Sequence, residues 1–155
     1  MRRYEARLLR YFVNEILEKE PDANVLVMGD MNDTYDSEPI RFFRDDKKTP
    51  EKRLYDLRPA DQSGLFWTHW WNRNDVYSRI DYAFASYALV PEIIRDKTKI
   101  VHLQEFWIFA SDHRPILITL RTDNAQPPSG PEMEQLFPNL KDAPIPPEQS
   151  EIEKP

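Results

Sequence analysis

Val25-Leu26-Val27-Met28 sets the tightest limit on how this chain can fold: four apolar residues in a row, without alternation, followed at once by Gly29-Asp30-Met31-Asn32. A short unbroken apolar run reads as a strand covered on both faces, which demands a sheet with material on either side. Gly29 permits a sharp change of direction where the run ends. Asp30 and Asn32 stand two apart, so in extended chain their side chains point the same way. A carboxylate and an amide at the mouth of a central strand can hold a water, a metal or a phosphate. The plainer alternative is a polar turn that closes a buried strand.

Upstream, Tyr4, Leu8, Phe12 and Ile16 recur every fourth residue, with Leu9, Val13 and Leu17 alongside. That spacing predicts an amphipathic helix over residues 3–19, ended before Pro21. Downstream, Ser37 is a natural N-cap, and Glu38 and Pro39 suit the first turn of a short helix to Arg44 that buries Ile40 and Phe43. Residues 45–53 read as a charged loop. Strands are expected from Leu54 to Leu57, over the aromatic stretch Leu65–Trp71, from Tyr77 to Ala85 and over the apolar run Pro115–Leu120. Lys99–Leu103 alternates weakly, and Phe106–Phe109 is apolar.

Composition separates the last stretch from the rest. Eight of the fourteen prolines lie between Gln126 and Pro155. Residues 122–155 also hold seven acidic side chains against two lysines, so most of the chain's net charge of −6 is theirs and residues 1–121 are near neutral. This segment is expected to form a Pro-rich, acidic, disordered tail, because it has too little to bury to offset its ordering entropy; Leu136-Phe137 is its one obvious anchor. The near-neutral body does not coat nucleic acid by bulk charge, although a local basic groove stays open. Cysteine is absent, which excludes disulfides, thiolate metal sites and a cysteine nucleophile, and leaves the compartment undefined. No run approaches a membrane span, and no apolar stretch follows a basic start as in a signal peptide.

Two more polar groups sit where strands begin or end. One is Arg79-Ile80-Asp81-Tyr82; the other is Ser111-Asp112-His113, directly ahead of Pro115 and the last apolar run. A lone His at such a place more often packs or bonds locally than reacts. The series carries more weight than any one piece. With Gly29-Asp30-Met31-Asn32, Ser78-Arg79-Ile80-Asp81-Tyr82 and Ser111-Asp112-His113-Arg114-Pro115 in this order, the chain resembles the endonuclease/exonuclease/phosphatase superfamily, which includes deoxyribonuclease I and the abasic-site endonucleases. Phe66-Trp67-Thr68-His69-Trp70-Trp71-Asn72 is similar to the aromatic strand and loop that precede Arg-x-Asp-Tyr in the abasic-site enzymes. The resemblance spans roughly residues 5–121 and fits the C-terminal half of the family domain.

The resemblance implies an α/β (α+β) fold, half of a four-layer sandwich, with one mixed sheet and flanking helices. It implies metal-dependent hydrolysis of a phosphoester, of phosphodiesterase or nuclease type, with a phosphomonoesterase on a sugar or lipid phosphate as the alternative. Asp30 then orients or deprotonates the attacking water. Asn32 holds the water or a phosphate oxygen. His113 donates to a non-bridging oxygen, and Asp81 accepts from its other ring nitrogen. Asp112 joins Asp30 around the metal, expected to be magnesium, with manganese as the substitute. Thr68 and Asn72 are expected at the phosphate. Trp70 and Trp71 either stack on the substrate, a nucleic acid or a small phosphate or lipid head group, or pack at a sheet edge.

The family's first half normally supplies a Gln-Glu pair whose Glu binds the metal, and nothing before Val25 matches it. Gln104-Glu105 lies after the Arg-Ile-Asp-Tyr strand, in the wrong place, and reads as a surface pair. The expectation is therefore a partial domain with an apolar sheet face in need of a complementary N-terminal half or a dimer partner. The class of alternative that follows is an inert fragment or a binding and assembly module.

Overall fold

The computed structural model describes residues 3–45, 52–101 and 109–123. The elements run α1 (Arg3–Lys19), β1 (Leu26–Asp30), α2 (Glu38–Arg44), β2 (Tyr55–Asp56), β3 (His69–Trp71), β4 (Val76–Ser78), β5 (Asp81–Ala85), β6 (Lys99–Ile100) and β7 (Ile116–Leu117), with two 3-10 turns between β5 and β6. The class is α+β, as the resemblance implies. The expected single mixed sheet is corrected. Among the described residues the strands form three small sheets, ordered β1-β5-β2, β3-β4 and β6-β7, and every ladder is antiparallel.

β5 is the centre of the main sheet, and its side chains divide two clusters by simple alternation. Tyr82 and Phe84, both fully buried, join Ile40 and Phe43 of α2 and Ala6, Val13 and Leu17 of α1. Ala83 and Ala85 face the other way, onto Leu57, Leu89, Val90 and Ile93. α2 forms as its sequence dictates: the Ser37 hydroxyl accepts from the Ile40 N–H at 3.4 Å, and a proline occupies the first turn.

α1 spans the expected residues, and only part of its apolar stripe is buried. The row Tyr4, Leu8, Phe12, Ile16 points outward, with Tyr4 80% and Phe12 55% exposed, and the row Ala6, Arg10, Val13, Leu17 is buried. Both rows are partly apolar, so periodicity alone does not choose between them. Arg10 does: its guanidinium donates to the carbonyl of Phe43 in the last turn of α2 (3.1 Å) and to that of Lys52. The bond to Phe43 thus supplies a donor to a carbonyl at the end of α2, where the helix itself offers none.

β1 is also less enclosed than its apolar run suggests. Val27 packs on the helix-side cluster and Leu26 on the other, but Met28 is 47% exposed and Gly29 and Asp30 are open to solvent. The strand order explains this, since β1 lies at the edge of its sheet. Pro115–Leu120 is likewise not an interior strand: Ile116 and Leu117 pair with β6, Leu120 makes a single bridge to Ile93, and Leu117 and Leu120 are exposed. The expected strand Leu65–Trp71 shortens to His69–Trp71. Ahead of it, the Asp61 carboxylate accepts the Leu65 and Ser63 N–H groups, holding that segment as a loop.

The expected strand Tyr77–Ala85 is two strands, broken at Arg79-Ile80. Arg79 turns inward to make a two-pronged ion pair with Asp56. The Ile80 and Asp81 N–H groups leave the ladder and donate to the Thr68 hydroxyl oxygen, at 3.1 and 3.0 Å. Gln104-Glu105, the Phe106–Phe109 run up to residue 108, and the tail beyond Asp123 lie outside the described residues. No helix among the described residues is long and apolar enough to cross a membrane.

Candidate active site

Three separated motifs meet at one end of the β1–β5 pair. Asp30 and Asp81 are directly opposite partners in the antiparallel ladder, so their side chains emerge on the same face. The Asp81 carboxylate lies 2.9 Å from His113 Nδ1. Of the residues expected to act together, Asp81 touches His113 and stands opposite Asp30 in the ladder. An open groove of about 440 Å³ runs beside them, lined by Met28, Gly29, Asp81, His113 and Ile116.

Local conformation holds each group. Gly29 has a φ of 152°, in territory that side chains other than hydrogen rarely enter. Asn32 sits in the left-handed region with φ 49°, which asparagine tolerates better than most residues. There its backbone N–H and its Nδ2 donate to the two oxygens of Asp30, at 2.7 and 2.9 Å. One amide hydrogen of Asn32 is thus committed to aiming Asp30, leaving the other and the amide oxygen for a ligand.

The loop carrying Asp112 and His113 is docked by its neighbour Arg114. That side chain is buried, donates to Asp61 at 2.6 Å, and lies 3.9 Å over the Trp67 ring. Burial alone would raise the Asp61 carboxyl; the Leu65 N–H, the Arg114 guanidinium and the Ser63 N–H outweigh it and hold the group below its usual range. The backbone completes the dock, with Arg114 N–H donating to Thr68 C=O (2.6 Å) and Trp70 N–H to Asp112 C=O (2.9 Å).

Thr68 is corrected from phosphate contact to internal support. It is fully buried, and its hydroxyl oxygen already accepts the two N–H groups released by the β4–β5 break. Thr68→Val keeps the shape and strands both donors, and is expected to cost about 2 kcal/mol in urea unfolding at unchanged slope. Thr68→Ser should cost clearly less, and equal losses in both variants would mean that the methyl group, not the oxygen, matters.

Trp70, Trp71 and Asn72 lie on the β3–β4 hairpin beyond this dock. Trp70 stacks nearly parallel on Tyr77, with centroids 5.9 Å apart, and its indole N–H donates to Asp75. Trp71 is 47% exposed, and Asn72 is exposed in the turn. Sequence reasoning assigned no role to His69. The structure sets it against His113, with ring centroids 4.8 Å apart, and places its Nε2 3.5 Å from Asp112. His69 stood in the aromatic stretch in plain view; only cross-strand register, which sequence does not give, identifies its neighbours.

The family model described as Endonuclease/Exonuclease/phosphatase family matches residues 1–113. That span takes in Asp30, Asn32, Asp81, Asp112 and His113. Among curated proteins none matches the chain.

Proposed function

The chain belongs to the endonuclease/exonuclease/phosphatase family, a family of hydrolases, and from that premise we propose that it cleaves phosphoester bonds, of the phosphodiester type, with a divalent metal ion. The observation that supports this most is the juxtaposition of Asp30, Asp81 and His113, which draws residues from three parts of the sequence to one end of the β1–β5 pair. Two carboxylates emerging side by side repel unless a cation or a proton lies nearby.

The donor set suits a hard ion. Asp30, the Asn32 amide oxygen and Asp112 are oxygen donors open to solvent, the kind of partial cage that magnesium or manganese completes with water and substrate phosphate. When bound, such an ion neutralises charge on the phosphate. The chain's own groups do the rest. Asp30, aimed by Asn32, orients the attacking water and accepts its proton. His113 donates Nε2–H to a non-bridging oxygen as charge builds there, while Asp81 holds Nδ1–H and keeps the ring in place. A ring donating at both nitrogens is the imidazolium form. Trp71 and Asn72, exposed on the hairpin, would meet the flanking part of the substrate.

A second reading is supported by the outward row of α1. Tyr4, Leu8, Tyr11, Phe12 and Ile16, together with Phe42 of α2, are large apolar side chains each at least 45% exposed, and clustered exposed apolar residues mark interaction surfaces. In that reading another polypeptide surface covers the row and completes the site, and the chain alone is a binding or assembly module. Magnesium titration with a generic phosphodiester separates the two. The hydrolase reading expects turnover that rises with magnesium and disappears on chelation. Absence of turnover at every magnesium concentration overturns it for this chain alone.

A further inference from the structure

We propose that His69, Asp112 and His113 form a binding site for a borderline transition ion such as zinc, which shares Asp112 with the oxygen donors proposed for magnesium but differs from them in its two imidazole ligands. One ligand atom from each of the three lies within 4.8 Å of the others. His69 Nε2 is 3.5 Å from one Asp112 oxygen, and His113 Nε2 is 3.9 Å from the other. Ligands about 2.0–2.1 Å from a tetrahedral zinc stand about 3.3 Å apart, so closing around an ion asks for side-chain shifts of an ångström or so.

The backbone builds this convergence. His69 is the direct antiparallel partner of His113 on one side and of Ser78 on the other, so all three side chains share a face. Each imidazole has its far nitrogen occupied: His69 Nδ1 lies 3.2 Å from the Ser78 hydroxyl, and His113 Nδ1 lies 2.9 Å from Asp81. A ring that donates through Nδ1 presents a bare lone pair at Nε2. With both rings neutral, two such lone pairs and a carboxylate facing one another repel unless a cation joins them. Histidines whose second nitrogen is fixed by a hydroxyl or carboxylate are the usual form of metal ligands. Two imidazoles and one carboxylate favour zinc over magnesium, and the exposure of Asp112 (66% of its side chain) leaves room for a fourth, solvent ligand. One consequence rests on the proposed function: an ion on His113 Nε2 removes the donor that hydrolysis needs, so zinc would inhibit where magnesium activates.

The test uses Co²⁺ alone as probe, added to the full chain at neutral pH and followed by visible absorption and calorimetry, without substrate. Hydrolysis can fail while this binding succeeds, and the reverse, so the two readings are judged separately. One equivalent is expected to bind with the intense visible bands of a four- or five-coordinate ion, undisturbed by equimolar Mg²⁺. His69→Gln is expected to weaken binding about 100-fold. Ser78→Ala keeps all three ligands, removes only the support of His69, and should weaken it about 10-fold. A spectrum like that of the hydrated ion, displacement by equimolar Mg²⁺, or affinity unchanged in His69→Gln would overturn the site. Should His69→Gln fail to fold, unchanged affinity in Ser78→Ala would do the same.

Discussion

Asp56→Ala is expected to destabilise the chain by about 3–5 kcal/mol, the penalty for leaving a buried charge without its partner. The Asp56 carboxylate accepts two bonds from the Arg79 guanidinium and one from the Arg58 N–H, and its side chain is only 6% exposed. Arg79 is 13% exposed and sits 4.4 Å over the Tyr82 ring. Burial would lower the Arg79 pKa, but the Asp56 charge and hydrogen bonds more than reverse that, so Arg79 keeps its charge. Domains of this size are stable by only about 5–15 kcal/mol, so the loss should move the urea midpoint far. Asp56→Leu combined with Arg79→Met removes both charges and should recover much of it. A single-variant loss under about 1 kcal/mol would mean that water reaches the pair. The same ion pair fixes the break between β4 and β5, and through it the position of Asp81. Asp56→Ala should therefore also disturb the His113 ring environment in NMR spectra before it unfolds the chain.

That break marks the limit of what periodicity reveals. The alternation that sets Tyr82 and Phe84 against Ala83 and Ala85 was legible and correct, with Tyr82 and Phe84 on the helix side. Continuing it back to Tyr77 was not, because Arg79 obeys an ion pair with a residue twenty-three positions away rather than the pleat. α1 shows the same in helical form. Its existence and extent follow from spacing, while the choice of buried row depends on Arg10 reaching the end of α2. The unbroken run Val25–Met28 correctly announced a strand but overstated its cover, since a strand's place in the sheet order is not local information. The site was legible as motifs because Asp30, Asp81 and His113 each end or flank a strand. Thr68 was misassigned and His69 passed over for one reason: both depend on which residue lies across the ladder, where sequence gives only which lies along it.

With magnesium and a phosphodiester, His113→Ala is expected to lower kcat about 10²–10³-fold while KM stays within a few-fold. The asymmetry follows from when the bond forms. A donor aimed at an oxygen that gains charge only in the transition state stabilises that state over the ground state, so its removal appears in kcat. Asp81 touches His113 Nδ1 at 2.9 Å and acts through it, so Asp81→Asn should also lower kcat with little change in KM. The two losses should not add. Once His113 is gone, Asp81 has no ring to hold, and the double variant should resemble His113→Ala alone. Asp30 stands across the strand pair from Asp81, and in the proposed mechanism it serves the water rather than the phosphate oxygen. Asp30→Ala combined with His113→Ala should therefore fall below either single variant unless both act in one concerted proton movement. Circular dichroism must match across the set, because Asp81 also ends a ladder. A KM that rises in step with an unchanged kcat would place His113 in substrate binding alone, and losses that add fully between Asp81 and His113 would separate the two groups that this site is built on.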